Sequence, residues 1–242
     1  MRPSGGAGDN PPEYRPYSPV SQPGTDTLAL AVKRYPAGVC STWMHERAVG
    51  DTIPITSPSG NLGVRDLGRN VPFLATGTGL TPMVAMATQY LREGSGRATL
   101  VFGERTQKAL MLWETFDLYA ANHSAFAVEY VLSDEDWSGP TGFVQDHLPD
   151  LIDDAAGTDF YVCGVPEMVV DTTAMLRDLG AFEDHIFVEG WEEGAVEEEK
   201  RDSWSVKREQ RNPSQSRFTR HVPPRFFSVE GTLLPVSTRP KH

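Results

Sequence analysis

The segment Thr76-Gly77-Thr78-Gly79-Leu80-Thr81-Pro82 constrains this chain more than any other stretch. It joins a short apolar run, residues 71–75, to a helix predicted over 82–93, with Thr81 as N-cap and Pro82 at the first helical position. The same alternation then repeats. Strands are predicted over 98–103, 126–132, 160–163 and 185–191, and helices over 108–122 and 167–179. Short apolar strands alternating with helices of 10–15 residues imply an α/β fold with a doubly wound, five-stranded parallel sheet. Such sheets bind ligands beyond the carboxyl ends of their strands, in the loops that lead to helices.

Composition narrows the class. No run approaches 18 apolar residues, which excludes a membrane span, and residues 1–8 lack the apolar segment of a secretory signal. Two cysteines, Cys40 and Cys163, are too few for a four-cysteine zinc or iron–sulfur site, and the six histidines have no metal-binding spacing. A reducing, cytoplasmic setting and no bound metal are expected. The charge of −11 is uneven: residues 71–199 carry 5 basic and 24 acidic side chains, residues 200–242 carry 10 basic and 3 acidic. The acidic block repels phosphate backbones and argues against nucleic-acid binding. It suits a high-salt cytosol, and equally an ordinary acidic enzyme.

The chain divides into four parts by texture. Residues 1–13 are a Gly/Pro-rich leader, expected to be disordered. Residues 14–70 are of β type, with a strand at 28–34, an edge-like strand at 51–56 because of Pro54, and a turn at Ser57-Pro58-Ser59-Gly60. Residues 71–199 are the α/β part, and 200–242 form a basic tail with no strand or helix period, expected to be disordered.

Three constellations carry chemistry. In the first loop, Gly77 and Gly79 let backbone amides approach an anion at a helix N-terminus. Gly38-Val39-Cys40-Ser41 is a second loop of this kind after a strand, so two nucleotides, or a nucleotide and a flavin dinucleotide, are expected. Arg15-Pro16-Tyr17-Ser18 places a cation, a flat ring and a small hydroxyl on one extended segment. Arg15 and Tyr17 share a face and Ser18 takes the other, although a twisted strand passing a large flat cofactor can bring all three to it.

In this order, with Cys163-Gly164-Val165-Pro166-Glu167-Met168 and Val188-Glu189-Gly190-Trp191, these motifs resemble the ferredoxin–NADP reductase superfamily over residues 14–191. The resemblance implies FAD and NADH or NADPH as cofactors, and hydride transfer from NAD(P)H to FAD. Electrons would then pass to a redox acceptor protein, a ferredoxin or an oxygenase component. It implies that Arg15 pairs with the FAD pyrophosphate, that Tyr17 stacks on the flavin and that Ser18 lies near its N5. Val32 and Lys33 would follow the ribityl chain, and Gly38, Val39, Cys40 and Ser41 would grip the pyrophosphate. Thr76, Gly77, Thr78, Gly79 and Pro82 would hold the nicotinamide nucleotide's phosphates, and Phe102, Gly103, Glu104 and Arg105 would follow its adenosine half. Cys163, Gly164 and Met168 would border the nicotinamide, Glu189 would sit near the hydride path, and Trp191 would cover the flavin's other face. Ser18, Cys163 and Glu189 are the expected catalytic residues.

Blander readings stay open for four of these. Cys163, Met168 and Trp191 suit core packing, and Glu189 suits an acidic surface. Where relatives carry a Ser-Arg pair for the 2′-phosphate, this chain has Ser133-Asp134 among other acids, which favours NADH, while Arg105 keeps NADPH open. In the family's six-stranded antiparallel barrel, the Arg-x-Tyr-Ser segment follows about three strands, whereas 14 residues precede Arg15 here. A partial barrel is therefore expected, with exposed edges and weakened FAD binding. Residues 1–13 and 200–242 would be truncation and extension around a piece of family character. A non-catalytic nucleotide-binding fragment is the alternative.

Overall fold

The computed structural model describes residues 14–21, 25–35 and 38–189, and the backbone of 225–230. Five parallel strands form one sheet in the order β4-β3-β2-β5-β6: β2 (Val71–Thr76), β3 (Ala98–Glu104), β4 (Phe126–Leu132), β5 (Phe160–Cys163) and β6 (Ile186–Glu189). The helices are α2 (Leu80–Glu93), α3 (Trp113–Asn122), the short α4 (Leu148–Leu151) and α5 (Pro166–Asp178). Ahead of them lie β1 (Thr27–Val32) and α1 (Val39–His45).

Strand periodicity divides the core in two. Phe73, Ala75, Leu100, Phe102, Tyr161 and Cys163 point to one face, where Leu80, Met83, Ala87 and Tyr90 of α2 and Phe116 of α3 cover them. Leu74, Val101, Val131, Phe160 and Val162 point to the other, against Met168 and Leu176 of α5. Both faces of the central strands are buried, which is why they read as continuous apolar runs rather than alternating ones. The chain winds outward from β2 through β3 to β4, then returns to place β5 on the other side of β2. The strand order reverses between β2 and β5, and the carboxyl ends of such a pair are where doubly wound sheets bind their ligands.

The flavin-side segment shares this core. Ala31 of β1 lies in the α2-side cluster, with Val20, Leu62, Val64 and Leu67 packed against it. The backbone N–H of Arg65 donates to the Tyr161 hydroxyl at 2.7 Å. A smaller cluster of Leu30, Val32, Cys40, Trp43 and Met44 holds β1 to α1, with Tyr17, Leu28 and Ile53 at its margin. Among the described residues the barrel is only partly present.

Five expectations change. Residues 51–56 form no strand: no ladder partner faces them among the described residues, Pro54 has no donor, and Asp51 accepts the Ala48 N–H in a local turn. The helix expected over 108–122 begins at Trp113, because a tight turn at Gln107–Ala109 is followed by Leu112 in the left-handed region, φ 57°. Helix α2 begins at Leu80 with Gly79 as its cap, and the Thr81 hydroxyl donates to the Thr78 carbonyl instead of capping. Pro82 falls within the first turn, whose N–H groups have no intrahelical acceptor, so its missing donor costs nothing there. The strand expected over 28–34 spans Thr27–Val32. The tail, expected to be disordered, contributes β7 (Arg225–Glu230), whose backbone pairs antiparallel with β1 from Thr27↔Glu230 to Val32↔Arg225. A strand edge offers unpaired amides and carbonyls to any extended segment, whatever its hydrophobic period. The leader, Trp191 and the rest of the tail lie outside the described residues.

At the amino ends of the strands, Asp159 is almost fully buried, accepts a hydrogen bond from His185 Nδ1 and forms an ion pair with Arg69 Nε, each at 2.7 Å. Its backbone N–H donates to the Asn70 carbonyl, and the Tyr90 hydroxyl donates to the Arg69 carbonyl. This knot ties the entries of β2, β5 and β6 together. Removing one member of a buried ion pair strands the others. Asp159→Ala should therefore cost about 3 kcal/mol of unfolding free energy, and Asp159→Asn less. Urea denaturation measures this, and a loss below about 1 kcal/mol for the alanine variant would refute a structural role.

Candidate functional site

The crevice is built by backbone approaching backbone. A Cβ on Gly79 would collide with the Cys163 carbonyl, and one on Gly164 with the Thr76 hydroxyl and the Met168 side chain. The Thr76 hydroxyl instead accepts the Val165 N–H at 3.1 Å, which pins the β5–α5 turn to the end of β2. Gly103, beside Thr76 in the ladder, leaves no room for a Cβ between the Val144 and Thr76 side chains. Gly77 differs. Its φ is 56°, and a Cβ there would meet nothing within 4 Å. Gly77 thus faces open space, and its loop leads straight into α2, the geometry that receives an anionic group.

The expected catalytic trio is assembled. Cys163 and Glu189 are register partners on β5 and β6, and the Ser18 hydroxyl donates to Glu189 Oε2 at 3.2 Å across 171 residues of sequence. Burial and, secondarily, the Glu189 carboxylate push the Cys163 thiol up to about 12. It is a neutral thiol at physiological pH. Among the described residues no cluster of metal-ligating side chains occurs.

On the flavin side, Tyr17 is half-buried beside Leu28 and Ile53, and Arg15 is exposed two residues before it. In the first turn of α1, the Ser41 hydroxyl is occupied: it donates to the Gly38 carbonyl and accepts the Tyr35 N–H. Gly38 has no space for a Cβ against that hydroxyl. Cys40 and Val32 are buried, so only their backbones can face a ligand, whereas Val39 is 55% exposed. A glycine loop at a helix start, a ring and a hydroxyl on the 14–18 segment, and the Ser18–Glu189 contact fit a nicotinamide nucleotide beside a flavin.

Three residues behave in ways their sequence position did not reveal. Met168 is buried in the α5-side core, and its methyl packs beside Gly164. Arg105 is engaged by Asp134 through two contacts, Nε at 2.6 Å and Nη2 at 2.5 Å, while the Ser133 hydroxyl also donates to Asp134. Glu104 ends β3, one position beyond Gly103. Burial is the largest influence on its carboxyl and raises it to about 7, against the Lys33 and Arg105 charges.

Comparison with known proteins agrees with this geometry. The oxidoreductase NAD-binding domain family matches residues 73–174, and the oxidoreductase FAD-binding domain family matches 7–63. A ferredoxin–NADP reductase B of Sorangium cellulosum is 32% identical over 191 residues, covering 74% of this chain and 78% of its own. An NADH-cytochrome b5 reductase 1 of Dictyostelium discoideum is 31% identical, covering 72% of this chain, and an anthranilate 1,2-dioxygenase electron transfer component of Acinetobacter baylyi is 28% identical, covering 73%. The chain spans 64% and 53% of the length of those last two. Among solved structures, the cytochrome P450 reductase GcoB of Amycolatopsis superposes with a TM-score of 0.66 at 28% identity, over 72% of this chain and 55% of its own. A Neisseria gonorrhoeae ferredoxin NADP+ reductase with bound FAD and NADP shares the fold, with a TM-score of 0.61 at 22% identity over 72% of this chain and 78% of its own. The chain belongs to the ferredoxin–NADP reductase superfamily, oxidoreductases that use FAD and NAD(P)H.

Proposed function

We propose that this chain takes a hydride from NADH to FAD and passes electrons to a protein acceptor such as a ferredoxin or an oxygenase component. The single observation that carries the reading is the Ser18–Glu189 hydrogen bond, which joins the flavin-side segment to the last strand of the nucleotide domain beside Cys163. When bound, the flavin supplies conversion between two-electron hydride chemistry and one-electron transfer. The protein supplies position. The Gly77–Gly79 amides and the α2 N-terminus hold the nucleotide phosphates, and Thr76, Thr78 and Pro82 shape that loop. Cys163 and Gly164 border the nicotinamide, and the neutral thiol excludes water without competing as a base. Tyr17 stacks on the flavin, and Arg15, Lys33 and the backbone of Val32, Gly38, Val39, Cys40 and Ser41 hold its chain and pyrophosphate. Ser18, kept in place by Glu189, offers its hydroxyl near the hydride path.

Purified protein should carry flavin absorbance and reduce a dye with NADH. A colourless protein that binds NADH yet reduces nothing would leave only a nucleotide-binding module. Ser18→Ala should slow hydride transfer by about 10–100-fold while leaving NADH affinity unchanged, since misplacement acts on the reacting geometry and Ser18 lies outside the amide loop. Stopped-flow reduction separates the two effects, and an unaltered rate would count against Ser18.

The Arg105–Asp134 pair supports NADH over NADPH. A guanidinium already neutralised by two carboxylate contacts is a poor receptor for a further phosphate, and Asp134 repels one. The KM for NADH should be the lower at moderate ionic strength. Asp134→Ser should release Arg105 and improve kcat/KM for NADPH by about tenfold, a gain of about 1.4 kcal/mol. A tenfold preference for NADPH in the unaltered protein would refute the assignment.

A further inference from the structure

Strand β1 is the hub of the flavin side. On one edge, the Val20 N–H donates to the Ala29 carbonyl at 2.9 Å, and the Ala29 N–H donates to the Ser21 hydroxyl at 3.1 Å. That edge carries the segment on which Tyr17 and Ser18 stand. At the end of β1, His45 Nε2 donates to the Val32 carbonyl at 2.8 Å and ties in α1, the helix that follows Gly38. Lys33 comes next in the chain. The flavin-side groups of the proposed function therefore take their positions from β1.

The other edge of β1 is filled from the far end of the chain. Ala29 turns both of its backbone groups toward the 14–21 segment. Backbone groups alternate sides along an antiparallel ladder, so Leu28 and Leu30 turn theirs the opposite way. Their register partners there are Val229 and Phe227 of β7. Leu30 is buried, and buried backbone groups need hydrogen-bond partners. Charge agrees with a partner drawn from the tail: residues 200–242 carry 10 basic and 3 acidic side chains, whereas residues 71–199 carry 5 basic and 24 acidic.

We propose that β7 is a tethered strand that completes the flavin side within its own chain: by pairing with β1 it fixes the strand that positions the FAD-holding residues, and FAD retention depends on it. The retention part rests on the proposed function, and the pairing part does not. Residues 190–224 connect β6 to β7, and Glu189, the last residue of β6, already bonds Ser18 in the segment on the opposite edge of β1. The tether thus starts beside the strand it has to serve, which favours pairing within one chain over pairing between two.

The phase of the ladder supplies the test. A proline at position 227 deletes an N–H that faces β1, whereas a proline at 228 deletes one that faces away, on the outer edge of a two-stranded ladder. Phe227→Ala keeps the N–H and serves as the baseline. Amide exchange of the full chain, followed by mass spectrometry over residues 27–33, should be about tenfold faster in Phe227→Pro than in Phe227→Ala, and unchanged in Ser228→Pro. The Kd for FAD, from titration of the flavin-stripped full chain, should rise about tenfold in Phe227→Pro and stay within about twofold in Ser228→Pro. Because β7 is no part of the five-stranded sheet, the far-ultraviolet circular dichroism of Phe227→Pro should show the nucleotide domain still folded. Equal exchange over 27–33 in the two proline variants overturns the pairing. Faster exchange in Phe227→Pro with an unchanged Kd for FAD overturns the retention role and leaves the proposed function standing. An unaltered chain that takes up no FAD overturns retention together with the proposed function, while the exchange contrast still decides the pairing. A full chain that runs as a dimer on size exclusion, and as a monomer in Phe227→Pro, overturns closure within one chain, since β7 would then pair with β1 of a second copy.

Discussion

Everything in the crevice depends on how closely the end of β2 approaches the end of β5. Gly79 sits against the Cys163 carbonyl with no room for a single carbon, and Gly164 sits equally close to Thr76. Two glycines, one from each strand end, let the backbones meet where side chains would hold them apart. The hydrogen bond from Val165 N–H to the Thr76 hydroxyl then fixes the meeting. Because strand order reverses at this pair, the chain diverges above it, α2 to one face and α5 to the other, and leaves a gap. The gap is a product of winding order, and the glycines set its floor.

Much of this was legible in the sequence, and the reasons differ by element. The parallel sheet could be read because central strands buried on both faces, such as Phe73-Leu74-Ala75, stay apolar without interruption. The glycine loop could be read because a strand, two glycines and a proline in that order admit few conformations. The trio of Ser18, Cys163 and Glu189 came only from resemblance: no spacing rule brings residue 18 to residue 189. Nor does local sequence reveal where a long side chain turns. Glu104 was expected beside the adenosine half, and nothing in its local sequence announces the burial that raises its carboxyl to about 7. The Asp159 knot is not legible in the sequence because Arg69, Asp159 and His185 are far apart in the chain and look like ordinary surface charges. Residues 51–56 misled in the opposite sense. Their alternation suits a strand, but a strand needs a ladder partner, and propensity does not supply one.

Electrostatics presents an apparent contradiction. The nucleotide domain is strongly acidic, yet its proposed ligand is an anion. The resolution is that no fixed cation has to do the binding. Amide dipoles at Gly77–Gly79 and the α2 N-terminus act at contact distance, whereas the surface carboxylates act through water and salt. Arg105 is held by Asp134, and Arg69 lies in the buried knot at the opposite end of the sheet. Lys33 is then a cation placed from the flavin side, close enough to Glu104 to oppose its protonation. Recognition of this kind favours a ligand whose charge is small and localised at the loop over one that carries an additional phosphate outward into the acidic rim.

The same arithmetic explains why the two halves must act together. Ser18 is tied to the nucleotide domain through Glu189, and Glu189 stands on an edge strand of four residues, β6. That strand is held by β5 on one side, by Phe187 stacked on Tyr161, and by the Arg65 guanidinium lying 5.6 Å from the Phe187 ring. The Tyr161 hydroxyl in turn accepts the Arg65 N–H, so the segment joining the flavin side to β2 is clamped to the strands that carry Cys163 and Glu189. A hydride can cross only where two rings are held about 3–3.5 Å apart, a tolerance that a flexible tether between domains would not meet. The shared core around Ala31, Leu62, Val64 and Tyr161 supplies stiffness, and under the proposed function it would make the geometry of transfer a property of packing rather than of the loops that touch the ligands.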